Sequence, residues 1–239
     1  MVTFRSFLQL TTKTIMEYRA YYRRNLPHYQ PKGETYFVTF RLVGSIPAEV
    51  VKKLTIERKN LEEIFLRDRI LSKGYITLIN RIFFQKYEAF LDPAEHGPRW
   101  LIQDDIAEII RTTLHYWDRK RIDMIAYCIM PNHVHAVIKV YPVDENGKEF
   151  YLTKFMHSIK GYSARQANII LGRTGNPFWH EETYDRVVRN QQELIRTIQY
   201  IRNDPRKIKP FPQEYIPTRI FTHPDYLNLV CNSDIPPPF

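Results

Sequence analysis

The sequence predicts an α+β fold, and three observations lead to it. Strand-like and helix-like segments follow one another in the order strand, helices, strand, strand, helix, strand, helix. Two of the strands, "RIDMIAYCIM" and "HVHAVIKV", are separated only by a sharp turn at "MPN" and so read as a hairpin. Hydrophobic residues make up 44% of the 239, enough to build a core. Strands interleaved with helices around a hairpin suggest one antiparallel sheet of ferredoxin-like arrangement with helices packed on one face.

The first thirty residues are polar and irregular and are expected to form an N-terminal extension. "TYFVTFRL", 35–42, alternates and is rich in β-formers, which predicts a strand. "GSIP" follows as a turn. From Pro47 to about Ile70, and again over about 76–90, apolar residues at helical spacing among good helix formers predict two helices. "LDPAEHGPRW" is rich in turn formers. "QDDIAEIIRTTLHYWDRK" reads as an amphipathic helix with acidic residues in its first turn, capped by Gln103 or Asp104.

After the hairpin, "YLTKFMHSIKGYSARQANIIL" predicts a helix and "FWHEETYDRVVR" an extended segment. "NQQELIRTIQYIRNDPRK" begins at an Asn N-cap and stops near Pro205. Beyond residue 206, "PFPQEYIP" and "DIPPPF" read as a Pro-rich surface tail, 211–239, without regular structure.

Composition narrows the function classes. Lys and Arg number 35 against 26 Asp and Glu, a formal net charge of +9, which favours a polyanionic partner, nucleic acid first. The basic residues are scattered ("YYRR", "DRKR", "RKIK"), so a folded basic surface is expected rather than a tail. No run of eighteen apolar residues predicts a membrane span. The N-terminus does not read as a signal peptide, and two cysteines build no disulfide framework, so a cytoplasmic location is expected.

His133 and His135 stand one residue apart in a strand of Ile, Val and Ala. Alternation sends both imidazoles to one face, about 7 Å apart along the strand. Two imidazoles so placed can bind one divalent metal; the plain alternative is a pair of half-exposed histidines on a solvated sheet face. A third ligand has to come from elsewhere. Tyr200 and Asp204, four residues apart on the last helix, share a face. If that face covers the strand, Asp204 completes the site and Tyr200 aims its phenol at whatever the metal holds. Asn203 is the fallback ligand.

"IMPNHVHAVI", then "FWHEETYDRVVRN", then "YIRNDPRK", resemble the motifs of single-tyrosine HUH transposases and occur in the right order at plausible separations. Over roughly residues 18–210 the chain resembles IS200/IS605-like transposases and, more narrowly, their REP-associated tyrosine relatives. The resemblance implies a catalytic domain over 31–210 with the HUH/Y1 transposase fold. A stretch at about 44–115 exceeds the minimal core and reads as a helical insertion. It implies His133 and His135 as metal-binding catalytic histidines and Tyr200 as nucleophile. Asp204 stands where the family has Asn or Gln, and a carboxylate is a good ligand for a hard cation.

The activity so implied is cutting and rejoining of single-stranded DNA at hairpin-containing sites through a 5′-phosphotyrosine, assisted by Mg2+ or Mn2+. Lys160, Arg165, Arg173 and Arg186 are candidates for the phosphate track, against the alternative of ordinary solvated basic surface. The partner implied is single-stranded DNA with a hairpin, bound by a monomer or a homodimer. Three other functions are compatible with the same residues: a non-cutting hairpin-binding protein, a metal-dependent phosphodiesterase that uses water, and an RNA-binding module.

Overall fold

The computed structural model describes residues 18, 20–23, 27–67, 73–144, 146–208 and 219–231. The start of the expected N-terminal extension, residues 1–17, lies outside the described residues, as do 68–70 of the first expected helix and 211–218 and 232–239 of the expected tail. Seven strands and six α-helices are described. β1 (Tyr21–Arg23) and β2 (Pro27–Tyr29) form a small hairpin. β3 (Thr35–Leu42) leads into α1 (Ala48–Arg67), α2 (Lys73–Leu91) and, after a 3₁₀ turn, α3 (Asp104–Tyr116). Then come β4 (Ile122–Ile129), β5 (His133–Val140), α4 (Leu152–Ile170), β6 (Trp179–Val187) and α5 (Gln191–Asn203). β7 (Ile220–Thr222) and α6 (Pro224–Cys231) close the described chain.

The main sheet is antiparallel throughout, in the order β6-β3-β5-β4-β7. Its first four strands have the split connectivity of a ferredoxin-like sheet, because the α3 and α4 crossovers each pass over one intervening strand. α3 and α4 pack on one face. Ile106, Ile110 and Leu114 of α3 and Phe155 and Ile159 of α4 join Val38, Phe40, Val134, Ala136 and Ile138 of the strands in one buried cluster.

The sequence reading put helices on one face only, and the structure covers both. Phe37, Cys128 and Val137 point the other way and meet Ile198, Tyr200 and Ile201 of α5, Phe84 of α2 and Val230 of α6. The reason is the strand pattern. β3, β4 and β5 are buried on both sides, so each face of the sheet needs a cover.

Two further details differ from the sequence reading. Gln103 occupies the N-cap of α3 without a side-chain cap bond; Asp105 accepts from the Ile106 N–H, and Asp104 instead bonds Arg219 at 2.7 Å. Arg219, 2% exposed, also donates to the carbonyls of Leu101 and Ile102. That anchor begins β7 at the sheet edge, so part of the expected irregular tail is strand and helix. The Asn N-cap of α5 is present: Asn190 Oδ1 accepts from Glu193 N at 2.8 Å.

Gly97, at φ +70°, lets the loop after α2 lie directly on the turn after β3; a Cβ there would meet the Gly44 carbonyl oxygen at 2.2 Å. The β1–β2 hairpin is tied to β6 through His28. Its buried imidazole bonds Asp185 through Nδ1 and Glu182 Oε1 through Nε2 at 2.7 Å, and Tyr22 stacks on the ring at 4.5 Å.

Burial alone would depress the His28 pKa, but the bonds to Asp185 and Glu182 outweigh it and raise the pKa to about 9. The folded value lies above that of an unfolded imidazole, about 6.5. This triad's contribution is therefore complete below about pH 6.5 and is lost as pH rises through about 9. His28→Gln is expected to lower Tm by roughly 5 °C at pH 6, taking about 2–4 °C per kcal/mol for a chain of this size. The gap to wild type should narrow by pH 9.5. Thermal melts of both proteins across that range check it, and a gap independent of pH would exclude a charged His28.

Candidate metal and nucleophile site

The turn between β4 and β5 sets the first half of the site. Met130 N bonds His133 O at 2.8 Å across the hairpin, and Leu42 N bonds the Asn132 carbonyl at 2.8 Å. The Asn132 side chain is fully buried, and its Oδ1 accepts from His133 Nδ1 at 2.7 Å. His135 Nδ1 meets Thr39 Oγ1 at 2.8 Å, and its ring stacks on Phe37 at 5.5 Å. With both Nδ1 atoms engaged, the two Nε2 atoms turn toward each other and stand 3.0 Å apart. Neither imidazole is exposed.

α5 supplies the second half. It crosses this face of the sheet with Tyr200 and Asp204 inward, as spacing of four on a helix requires. Asp204 Oδ2 lies 3.2 Å from His135 Nε2 and 3.6 Å from His133 Nε2. Asn203 is exposed, so of the two ligands left open by the sequence it is Asp204 that stands at the imidazoles.

α2 adds two carboxylates that the sequence reading did not single out. Glu88 Oε2 lies 3.0 Å from His135 Nε2 and accepts the Tyr200 phenol proton at 2.5 Å. Donor atoms of Glu88, Asp92, His133 and His135 all lie within 4.8 Å of one another. Lys207, in the 3₁₀ turn after α5, bridges Asp204 Oδ1 at 2.8 Å and Asp92 Oδ2 at 2.6 Å. Its Nζ also sits 4.3 Å from the centre of the Tyr200 ring.

Three carboxylates thus share a buried space with two imidazoles and one ammonium. Burial opposes charge on His135, yet Glu88 and Asp204 outweigh it and raise the imidazole to about 10. His133 goes the other way, lowered by burial and by its cationic neighbour His135. Burial, Asp204 and Glu88 lift Asp92 to about 7. Burial and Glu88 hold the Tyr200 phenol well above its ordinary value, so it is protonated here. The donor set fits a divalent cation: nitrogen lone pairs and carboxylate oxygens converge where a proton on His135 now balances the charge.

The four basic residues assigned to a phosphate track have different surroundings. Lys160 Nζ donates to the carbonyls of His180 and Glu181 at 3.0 and 3.1 Å, pinning α4 to β6. Arg186 bonds Glu193, donates to Thr197 Oγ1 at 3.0 Å and joins β6 to α5. Arg173 stacks on Trp100 at 4.1 Å. Arg165 is exposed on α4.

A comparison with protein families bears directly on this arrangement. Residues 98–204 match the family of IS200-like transposases. The IS200-like segment runs from the approach to α3 to Asp204 and contains both histidines and Tyr200. β3, with Thr39, α2, with Glu88, and Asp92 in the turn just after it lie outside it. Among solved structures, one of a REP-associated tyrosine transposase bound to a REP hairpin aligns with 78% of this chain and 72% of its own. The identity is 15% and the TM-score 0.42. No curated protein matches the chain.

The missed residues differ in how far the sequence could have shown them. Lys207 is three residues past Asp204, within one helical turn, and that spacing was a usable signal. Glu88 and Asp92 share a helix face four apart, but nothing in the sequence ties α2 to the histidine strand.

If these residues hold a cation, Mn2+ should stabilise the folded protein by mass action, about 2.7 kcal/mol at a hundredfold excess over Kd. That corresponds to roughly 5–10 °C in Tm. His135→Ala and Asp204→Ala should lose the shift, and Asn203→Ala should keep it. Melts with and without MnCl2 decide the ligand set; equal shifts in all four proteins would place the ion elsewhere.

Proposed function

We propose that the protein is a transposase-like DNA strand transferase that cuts and rejoins single-stranded DNA through a 5′-phosphotyrosine. The observation that carries this reading is the shared cluster. The Tyr200 phenol bonds the same Glu88 oxygen that lies 3.0 Å from His135 Nε2. A nucleophile and paired histidines from separate elements have converged on one point, which a water-repelling core position for Tyr200 would not require. The match of residues 98–204 to IS200-like transposases supports the same assignment.

In this mechanism His133, His135, Asp204 and Glu88, with Asp92 close by, would hold a divalent ion, Mg2+ or Mn2+. When bound, such an ion would supply neutralisation of the negative charge that develops on the scissile phosphate. Tyr200 Oη gives its proton to the Glu88 carboxylate it already bonds and forms a bond to phosphorus, while the bond to the 3′-oxygen breaks and that oxygen leaves as a 3′-hydroxyl with a proton taken from solvent. The phosphodiester energy is kept in the tyrosine ester, so a 3′-hydroxyl can reverse the step and rejoin DNA. A phenol is a poor nucleophile at neutral pH. Lys207, whose Nζ lies 4.3 Å from the Tyr200 ring centre, is a nearby cation that favours its phenolate. Tyr200 is 6% exposed, so a strand must displace the α2 side chains to reach it.

The preferred substrate is a hairpin with single-stranded flanks, as the likeness of the "PNHVH" and "YIRNDP" motifs to REP-associated transposases implies. Of the basic residues, Arg165 and Arg173 are the better phosphate contacts, since Lys160 and Arg186 already hold elements together.

Tyr200→Phe should abolish a covalent protein–DNA adduct while leaving DNA binding within about twofold, because only a hydroxyl is removed. The assay is denaturing electrophoresis after incubation with a labelled hairpin and Mn2+. Cleaved DNA without any adduct in the wild type would indicate a water-using phosphodiesterase. With the Phe protein, log Kd against log salt should have a slope near 0.7 per phosphate contacted, so about five contacts give roughly 3.5. A flat salt response would remove the phosphate track.

A further inference from the structure

A cavity of about 60 Å³ adjoins the cluster, and none of the steps above uses it. At roughly 10–15 Å³ per water-sized probe it has space for several waters, or for the oxygens of one anionic group. Thr39 and Arg41 of β3, His180 and Glu182 of β6, and Tyr87 and Glu88 of α2 line it. Thr39 and Glu88 also belong to the histidine site, so the two spaces share walls.

Arg41 makes the cavity chemically distinctive. It pairs with His133 across β3 and β5 and therefore shares the histidine face. β3 and β6 are out of regular register between Phe40 and Leu42, and Arg41 sits at that irregularity. The side chain is 9% exposed, and the hydrogen bond it makes among the described residues is from Nη1 to Ser45 Oγ at 3.2 Å. A guanidinium has five N–H donors, and burying its charge without an anion is costly. Glu182, which attracts it, is already bonded to His28 Nε2 at 2.7 Å.

Burial lowers Arg41 only to about 10, so it stays a cation at neutral pH. Burial, Arg41 and Lys160 hold His180 near 4, so that imidazole is neutral. Its Nδ1 accepts from Glu182 N at 3.1 Å, which leaves the proton on Nε2. The cavity thus offers a fixed cation and a neutral imidazole in a partly apolar wall, and its two carboxylates, Glu88 and Glu182, are turned to His135 and His28.

We infer that this cavity seats a phosphodiester group of the bound strand, with the Arg41 guanidinium donating to its non-bridging oxygens. The inference rests on the transposase-like reading and extends it by a substrate-binding residue outside the segment that matches the family. Arg41 faces the same side as His133, so a strand that displaces the α2 side chains to reach Tyr200 brings a neighbouring backbone phosphate toward it. A planar fork matches two phosphate oxygens, which a lysine ammonium cannot do.

The test uses the Tyr200→Phe protein, which does not cut, and single-stranded oligonucleotides in which one linkage at a time is an uncharged methylphosphonate. One linkage should cost about tenfold or more in affinity when Arg41 is present, and less than twofold in Arg41→Gln. Arg41→Lys keeps the charge and guards against a folding defect in the Gln protein. In it the same linkage should cost less than in the Arg41 protein, since the fork is gone. The same scan profile in all three proteins, or an unchanged penalty in Arg41→Lys where the Gln variant does not fold, overturns the inference and leaves Arg41 a prop for α1 and α2. Failure of the Tyr200→Phe protein to bind any of the oligonucleotides overturns the DNA reading itself, and this inference with it.

Discussion

Two buried imidazole nitrogens held 3.0 Å apart need a proton or a cation between them, and much of this fold serves to stabilise that positive charge. The hydrogen bonds of Asn132 and Thr39 fix the rings so that both Nε2 atoms face inward. Carboxylates from two helices then surround the pair, and a protonated His135 balances part of their charge. Remove the imidazoles, and Glu88, Asp92 and Asp204 would be buried like charges with Lys207 alone to offset them. Such a cluster is expensive as a structural device. Its cost is reasonable where the charges exchange a proton for a metal ion.

The element that closes the site comes from outside the segment shared with IS200-like transposases. α2 brings Phe84, Glu88 and Asp92 onto the histidine face, and Phe84 stacks with Tyr184 at 4.2 Å beside Tyr200. α2 and the turn after it therefore contribute carboxylates and cover to the site. The Tyr200 phenol is held by the same Glu88 that contacts His135, so one side chain couples the position of α2 to the state of that phenol. Tyr184, the other tyrosine close by, is packed against Phe84 and Phe37 and has its pKa raised by burial.

Basic residues divide by what they touch. Lys160, Arg186 and Arg219 donate to backbone carbonyls or to side chains that join elements. Their charge is spent within the fold. The net charge of +9 thus overstates the positive surface a strand would meet. Arg41 is the converse case: a cation inside the protein, lining a cavity that adjoins the histidine site.

By itself the sequence determined the order and type of most elements, because strand alternation, helical spacing and the Asn190 cap are local. It determined that His133 and His135 share a face and that Tyr200 and Asp204 share another, since both periodicities are fixed by backbone geometry. Only the tertiary structure decided that those two faces meet, that helices cover both sides of the sheet, and that the tail adds β7 through Arg219. It alone brought Glu88, Asp92 and Arg41 to the histidines. Their placement depends on α2 folding back across the sheet and on which strand pairs with β5, contacts between residues far apart in sequence. No local spacing encodes such contacts; the burial of two apolar sheet faces selects them.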